Sequence, residues 1–359
     1  MKINHLDLQK ITARIFVLAG CSRTEAEIIA KHLIEANLTG HDSHGVIRVS
    51  HYVKWLGEER VFANKHARLI TKGDSFAVFD GDFGFGQVLG EEVITAGIAM
   101  AKKSGLAIVG LRNSGHLGRI GDWAEMDGVA GLISIHFVNG NGFAILAAPF
   151  GGTDKRLSSN PICIGIPNGS KPLLLLDMAT CQLSQGKAMV AKNEGKELPA
   201  GSVLDSQGKP TNDPNVLFLE SAGAILPISP GHKGFGLSFL VEVLAGALTG
   251  SDTSSPESPT ARCVGNGMLS IFIDQNRFGN NGEFLAEIDK LSTWVKASPP
   301  TTPGGEIILP GEPENRTRME RLKNGIDLDQ ETLRQFIRTA RSVGVNDEEI
   351  RFITNQPVL

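Results

Sequence analysis

Apolar residues in the first forty positions recur at the spacing of amphipathic helices. Leu8, Ile11 and Ile15 fall on one face of a first predicted helix. Ser22 stands where an N-cap would open a second helix, whose apolar pattern ends near Gly40. The chain is therefore predicted to begin with two consecutive helices.

From about residue 66 the pattern changes to short apolar runs bounded by turn residues, which is typical of strands. Strands are predicted at residues 75–80, 106–111, 132–138, 163–166, 173–177 and 269–273. Helices are predicted at residues 90–103, 122–127 and 235–248, and a Ser/Pro-rich loop at residues 251–259. After about residue 283 the pattern is helical again, apart from a Pro/Gly-rich interruption.

Helix-rich ends around a strand-rich middle predict an α+β fold in which the two ends of the chain pack together. The predicted domains are a helical domain, residues 1–70 and 284–359, and a strand-rich central domain, residues 71–283. The sequence contains no internal repeat.

The composition is that of a folded enzyme rather than a nucleic-acid-binding or membrane protein. The chain has 359 residues, of which 41% are hydrophobic and 21% charged, and a net charge of −4. No run approaches the roughly 18 apolar residues of a membrane helix. The four cysteines are widely separated, and no H-E-x-x-H motif occurs, so no metal site is predicted. The N-terminus lacks the apolar segment of a signal peptide, which predicts a cytoplasmic location.

The first candidate for chemistry lies just after the second helix. If a third helix begins near Ser43 and continues to Leu56, then His44, Arg48 and Tyr52 fall at i, i+4 and i+8 on one face. An arginine there would bind a substrate carboxylate bidentately while the histidine exchanges a proton. The alternative is a helix cap, a solvated surface arginine and space-filling histidines.

Three further segments are candidates for ligand contacts. His116 lies among the glycines of residues 115–121 at a strand–helix junction, where a ligand could approach the backbone closely. Residues 231–237, with Lys233, open a predicted helix whose N-terminus could bind a phosphate. Asp177 ends an apolar strand and could accept ribose hydroxyls or cap the next turn. An ordinary structural turn is the alternative for each glycine-rich segment.

Residues 84–90 suggest a different location and type of cofactor site. They follow a strand and precede a helix in the order G-x-G-x-x-x-G, as a Rossmann glycine loop would. The strand some 20 residues on ends at Leu111-Arg112 without the acid of that fingerprint. A Rossmann-type reductase therefore stays an alternative at this point.

Seven motifs occur in the same order as in a known family. They are residues 41–45, 115–118, 149–152, 160–161, 177–180, 233–236 and 310–312. Together they resemble the malate/L-lactate dehydrogenase family, which is unrelated to the Rossmann-type lactate dehydrogenases, along essentially the whole chain. Residues 118–125, 134–138 and 294–299 are most similar to its hydroxycarboxylate dehydrogenase B branch.

The resemblance implies an α+β fold: a non-Rossmann cofactor domain with a mixed, largely antiparallel sheet, and a helical domain formed from both termini. It also implies a homodimer that interconverts small 2-oxo and 2-hydroxy carboxylates with NAD or NADP as cofactor. A non-catalytic protein that binds a small metabolite is the alternative from another functional class.

The resemblance also assigns roles to individual residues. His116 and His44 match the acid/base histidines, and Arg48 matches the arginine that binds the substrate carboxylate; we also assign the nearby Ser43 and Tyr52 to the substrate. We favour His116 as proton donor, because a loop imidazole with a pKa of about 6.5 changes protonation near neutral pH; His44 is the second candidate. The residues that match cofactor contacts are Ile120, Asn160, Asp177, Met178, Ala179, Thr180, Cys181, Lys233, Gly234, Pro310, Gly311 and Glu312.

Overall fold

Helices occupy both ends of the chain and strands occupy the middle. The computed structural model describes residues 2–141, 145–219, 223–228, 231–255, 257 and 262–354. The strands are β1 (Lys2–Ile3), β2 (Arg68–Lys72), β3 (Phe76–Asp80), β4 (Leu106–Ser114), β5 (Ile133–Gly140), β6 (Ile162–Ile166), β7 (Leu174–Met178), β8 (Val203–Leu204), β9 (Pro210–Thr211), β10 (Ala224–Ile225), β11 (Asn266–Ile273) and β12 (Ile326–Asp327). The helices are α1 (His5–Leu18), α2 (Arg23–Leu38), α3 (Val49–Gly57), α4 (Gly86–Ser104), α5 (Gly121–Val129), α6 (Gln185–Glu194), α7 (His232–Glu242), α8 (Asn281–Lys296), α9 (Glu312–Asn324), α10 (Gln330–Ser342) and α11 (Asp347–Thr354).

The two predicted N-terminal helices are confirmed, and the second is capped as its sequence indicates. The Ser22 hydroxyl accepts a hydrogen bond from the backbone N–H of Glu25 at 3.2 Å. The predicted helix at 235–248 begins earlier, as α7, and gives way to a π-helical turn at Val243–Ala247. The predicted loop at 251–259 is irregular at residues 251–255 and 257, and its other positions lie outside the described residues.

The third predicted helix is wrong in its first half. Two 3₁₀ turns, Asp42–His44 and Val46–Arg48, precede α3. Gly45 between them has an extended backbone, with φ −85° and ψ −150°, and the Asn37 amide oxygen, which accepts the backbone N–H of Val46 at 2.9 Å, fills the space that a side chain at position 45 would need. His44 and Arg48 therefore lie in two separate turns before α3, and they are not spaced along one helical face as predicted.

The central sheet has seven strands in the order β2-β3-β4-β11-β5-β6-β7. Only β3 and β4 run parallel, and every other neighbouring pair is antiparallel. The predicted mixed, largely antiparallel sheet is confirmed. The Rossmann alternative is wrong, because that fold requires a mostly parallel sheet.

Two large apolar clusters hold most of the helices and the central sheet together, and two smaller ones lie among residues 146–226 of the described chain. One joins α1, α2 and α3 to α10 and α11, so segments from both ends of the chain pack against each other. The second lies between the sheet and the helices α4 and α5, around the fully buried Trp123 and Phe272. The first cluster also includes Phe85 and Val264 from the middle of the chain, and the division at residues 70 and 283 stays a prediction. Among the described residues, no helix has the length and apolarity to cross a membrane.

Candidate active site

A cleft of about 780 Å³ collects several of the predicted site residues. Its described lining includes Ser43, His44, Arg48 and His116, which come from the 3₁₀ turns and from the segment after β4. The same lining includes Ile120, Asp177, Met178, Ala179 and Cys181 from the segments that follow β4 and end β7. The two histidines and the arginine, distant in sequence, thus share one cavity.

The rings of the two histidines stack on each other in the wall of the cleft. The rings of His44 and His116 lie with centroids 5.5 Å apart and planes 14° apart. The Ser43 hydroxyl is 3.0 Å from Nδ1 of His44, and the Arg48 Nε donates to the Ser43 carbonyl at 2.6 Å. Tyr52 lies one layer deeper, with its hydroxyl 2.7 Å from Nδ1 of His116. Nε2 is therefore the ring nitrogen of His116 that a ligand can reach.

Burial and positive charge together keep both imidazoles neutral. Burial lowers the pKa of His116 to about 3, and the charges of Arg48 and His51 act in the same direction. Burial, followed by the charge of Arg48, also lowers the pKa of His44 well below its ordinary value. The prediction of an ordinary pKa for His116 is wrong, because the ring is packed into the wall of the cleft and lies near the charge of Arg48.

The charges that line the cleft favour anionic ligands. Its described lining contains one carboxylate, Asp177, and six cationic side chains: Arg48, Lys54, Arg60, Arg119, Lys155 and Lys187. A cleft lined mostly by one sign of charge attracts ligands of the opposite sign. The cleft thus suits a small carboxylate and the diphosphate of a dinucleotide.

Arg119 differs from the other cations because its charge is neutralised within the protein. Its side chain is fully buried and donates to Asp122 at 2.8 Å and to Glu125 at 3.0 Å. Asp122 is also 2.7 Å from His32 on α2. Burial lowers the pKa of His32, but hydrogen bonds to Asp122 and Glu91 outweigh it and raise the pKa to about 9. This network ties the segment after His116 to α2 and α5.

Asp177 caps a helix from another part of the chain and not the turn that follows it, and the predicted contact with ribose hydroxyls stays a prediction. One of its carboxylate oxygens accepts the backbone N–H of Gly121 at 2.7 Å, at the start of α5. The residue also lines the cleft, beside Met178 and Ala179. Burial raises the pKa of the Asp177 carboxyl. Asp177 therefore caps α5 and still presents a carboxyl group to a ligand.

Other predicted contacts do not belong to the described lining of the cleft. They are Tyr52, Asn160, Thr180, Lys233, Gly234, Pro310, Gly311 and Glu312. Asn160 is fully buried and donates to Glu242 at 2.6 Å and to the Ser238 carbonyl at 3.1 Å, so its side chain ties α7 to the segment before β6. Gly311 packs on the backbone of β7, where a Cβ would lie 2.5 Å from the carbonyl oxygen of Leu173.

Several lining residues were not among the predicted site residues. His51 stands beside Tyr52 in the first candidate segment, and extending that helix beyond Tyr52 would have added Lys54 and Trp55. Lys155 and Lys187 come from segments without a motif, and only the tertiary fold brings them to the cleft. Among the described residues, no group of three or more His, Cys, Asp or Glu could hold a metal ion.

The fold and the cleft define the class of protein. The sequence profile of the malate/L-lactate dehydrogenase family matches residues 3–337. The chain therefore belongs to this family, and the resemblance predicted from its motifs is confirmed.

Individual relatives cover nearly the whole chain. Hydroxycarboxylate dehydrogenase B of Escherichia coli (strain K12) is 38% identical over 353 residues, which are 97% of this chain and 96% of that protein. The L-lactate dehydrogenase of Cupriavidus necator is 32% identical over 347 residues, which are 96% and 99% of the two chains. A solved structure from E. coli, assigned to the malate/lactate dehydrogenases, matches with a TM-score of 0.93 and 37% identity over 99% of each chain. These names support an oxidoreductase that acts on 2-hydroxy acids over a non-catalytic binding protein.

Proposed function

We propose that the chain is an NAD- or NADP-dependent oxidoreductase that interconverts a small 2-oxo carboxylate and its 2-hydroxy carboxylate. The observation that carries the proposal is the convergence of His44, Arg48 and His116 in one cationic cleft. The family supports the reaction class, and the cleft volume lies within the roughly 300–1,000 Å³ typical of ligand and cofactor sites.

Arg48 is the proposed anchor for the substrate carboxylate. Its Nε is occupied by the Ser43 carbonyl, so its two terminal nitrogens are the atoms that can bind both carboxylate oxygens. Burial lowers the pKa of Arg48, but a guanidinium stays charged at any working pH. A carboxylate fixed in this way would hold the adjacent C2 carbon close to His116.

His116 is the proposed proton-transfer group, and its protonation would respond to the substrate. In the ligand-free cleft the charge of Arg48 helps to lower the pKa of His116. A carboxylate bound to Arg48 offsets that charge, so the pKa of His116 rises when substrate binds. His116 would then donate a proton to the C2 oxygen during reduction and accept one during oxidation. His44, stacked beside it, is the second candidate for the same step.

The residues around Asp177 fit a nicotinamide dinucleotide. Its carboxyl group can accept ribose hydroxyls, Met178 and Ala179 beside it offer apolar contact, and Lys155 and Lys187 can neutralise phosphate charge. Bound there, NADH or NADPH would supply the hydride that the reaction requires. The predicted contacts at Lys233, Gly234, Pro310, Gly311 and Glu312 stay predictions.

A fluorimetric screen tests the proposed reaction. Purified protein is mixed with pyruvate, oxaloacetate, 2-oxoglutarate or an aryl-pyruvate, each with NADH and with NADPH. We expect oxidation of at least one nicotinamide with at least one acid, and no oxidation with an aldehyde that lacks a carboxylate. Tight binding of one acid without any consumption of either nicotinamide would reject the proposal and favour a binding protein.

We also propose that a second copy of the chain is a partner, held by the face of the central sheet that lies opposite α4 and α5. A row of register-paired apolar residues crosses six strands on this face: Phe76, Ile108, Ile271, Ile135, Ile164 and Leu176. Phe76, Ile108 and Leu176 are 51%, 39% and 41% exposed. Helices α4 and α5 cover the opposite face. An extended exposed apolar surface of this kind is typical of a protein interface.

Ile108→Asp is expected to convert a dimer into a monomer. The substitution places a charge in the apolar row, where a dimer would bury it without a partner. The mass is measured by light scattering after size exclusion, with circular dichroism to verify the fold. Val129→Asp is the matched control, because Val129 is 93% exposed on α5, on the other side of the sheet. A folded Ile108→Asp protein that remains dimeric, or a monomeric wild type, would refute this interface.

A further inference from the structure

The glycine-rich segment 84–90 has a role that a cofactor loop does not explain. It is packed directly on the backbone that carries His116. Gly115 donates its N–H to the Gly84 carbonyl at 2.8 Å, and a Cβ on Gly115 would lie 2.5 Å from that oxygen. A Cβ on Gly86 would collide with the carbonyl oxygen of His116. Only residues without side chains allow the start of α4 to approach the His116 loop this closely.

This close approach places the side chain of Gln87 behind the histidine. Gln87 is fully buried, and its Nε2 donates to the Tyr52 hydroxyl oxygen at 2.9 Å and to the His116 carbonyl at 3.3 Å. A carbonyl oxygen only accepts, so the Gln87 amide must turn its NH₂ group, and not its oxygen, toward Tyr52 and His116. The orientation of the amide is therefore fixed by the protein backbone.

The direction of the next hydrogen bond follows from the first. Because the Tyr52 oxygen accepts from Gln87, its own hydrogen is free to donate to Nδ1 of His116, 2.7 Å away. An Nδ1 that accepts a hydrogen bond carries no proton, so the single proton of the neutral imidazole lies on Nε2. Burial raises the pKa of Tyr52 to about 12, which keeps the donating hydrogen on its hydroxyl.

We propose that Gln87 is a positioning residue that sets the tautomer of His116 through Tyr52, so that Nε2, the nitrogen facing the cleft, carries the proton. The inference rests on the proposed function only for its catalytic consequence. With the proton on Nε2, neutral His116 can donate a hydrogen bond that orients the C2 oxygen of an arriving 2-oxo acid. The proton transfer itself uses the doubly protonated ring, which forms when the bound carboxylate raises the pKa of His116. With the proton on Nδ1, the same ring would present a lone pair to that oxygen and repel it.

The tautomer can be measured without substrate or cofactor. Protein labelled with ¹⁵N-histidine is studied by long-range ¹H–¹⁵N correlation NMR at neutral pH, and the His116 signals are assigned from their loss in His116→Gln. We expect the Nε2–H tautomer in the wild type and a mixture of both tautomers in Gln87→Met. Tyr52→Phe removes the donor to Nδ1 without altering Gln87, and it is expected to give the same mixture. A wild-type ring protonated on Nδ1, or unchanged tautomers in both folded variants, would overturn the inference.

Kinetics then separate a positioning role from a purely structural one. We expect Gln87→Met to lower kcat about tenfold, the value of one hydrogen bond, and to leave KM unchanged because Arg48 still binds the carboxylate. Gln275→Met is the matched control, since it removes another buried amide, located in the turn after β11. If Gln275→Met lowers kcat as much as Gln87→Met, the effect is structural and the positioning role is wrong. If the variants change the tautomer of His116 but the wild type oxidises neither nicotinamide, the proposed function is rejected and the positioning role of Gln87 stands.

Discussion

Replacing His116 with alanine is expected to lower kcat by about 10²–10⁴-fold, the loss typical of a missing general acid. The variant removes the imidazole that Tyr52 holds at Nδ1 and that lines the cleft. KM for the 2-oxo acid is expected to change little, because Arg48 and its contact with Ser43 are untouched. Steady-state rates at saturating 2-oxo acid and nicotinamide measure the effect.

Two further experiments test whether the loss of rate in His116→Ala is due to the missing imidazole. Free imidazole is expected to restore part of the rate of His116→Ala, since the truncation leaves a space of the right shape beside Tyr52. His66→Ala is the control: His66 is an exposed histidine paired with Glu92, away from the cleft. Near-normal turnover of His116→Ala would transfer the proton-transfer role to His44, and His44→Ala would then be expected to carry the large loss.

The sequence predicted the elements whose signals are local. The N-cap at Ser22, the helical spacing of Leu8, Ile11 and Ile15, and the short apolar strands were sufficient for most of the fold. The strand β2 was missed because all five of its residues are exposed, so its sequence lacks the alternation that burial on one face imposes.

The proximity of His44 and Arg48 was predicted for a reason that is partly wrong. A continuous helix would place them on one face, but Asn37 interrupts the helix at Gly45 and leaves two 3₁₀ turns. Both side chains still line the cleft, because the turns face the segment that carries His116. The chemistry of the motif was therefore a better guide than its assumed secondary structure.

Properties that depend on distant residues could not be predicted from the sequence. The low pKa of His116 results first from burial and then from the charge of Arg48, and neither is visible in a glycine-rich loop. Asn160 matches a cofactor motif, but its amide is held by Glu242, 82 positions later in the chain. Gln87 is one of the variable positions of the glycine segment 84–90, and its contacts with Tyr52 and His116 exist only because the glycines around it allow two segments to meet.

Arg48→Met is expected to raise KM for the carboxylate substrate by roughly 30- to 5,000-fold. Removing one partner of a buried, hydrogen-bonded charge pair costs roughly 2–5 kcal/mol, and Met retains most of the volume of the arginine stem. KM is measured for a 2-oxo acid and for its neutral amide, and the comparison isolates the contribution of the substrate's carboxylate charge. The amide is expected to bind the variant and the wild type almost equally.

The same variant has a second expected effect, on the pH dependence of the rate. The positive charge of Arg48 lowers the pKa of His116 and of His44 in the ligand-free enzyme, so its removal favours the protonated rings and raises both pKa values. The titration in kcat/KM that reports these groups is therefore expected to move to higher pH in Arg48→Met. Arg48→Lys, which keeps the charge but not the bidentate geometry, is expected to raise KM without that displacement. An unchanged KM in Arg48→Met would show that the carboxylate is bound elsewhere in the cleft, and an unshifted pH profile would show that neither histidine titrates in the rate.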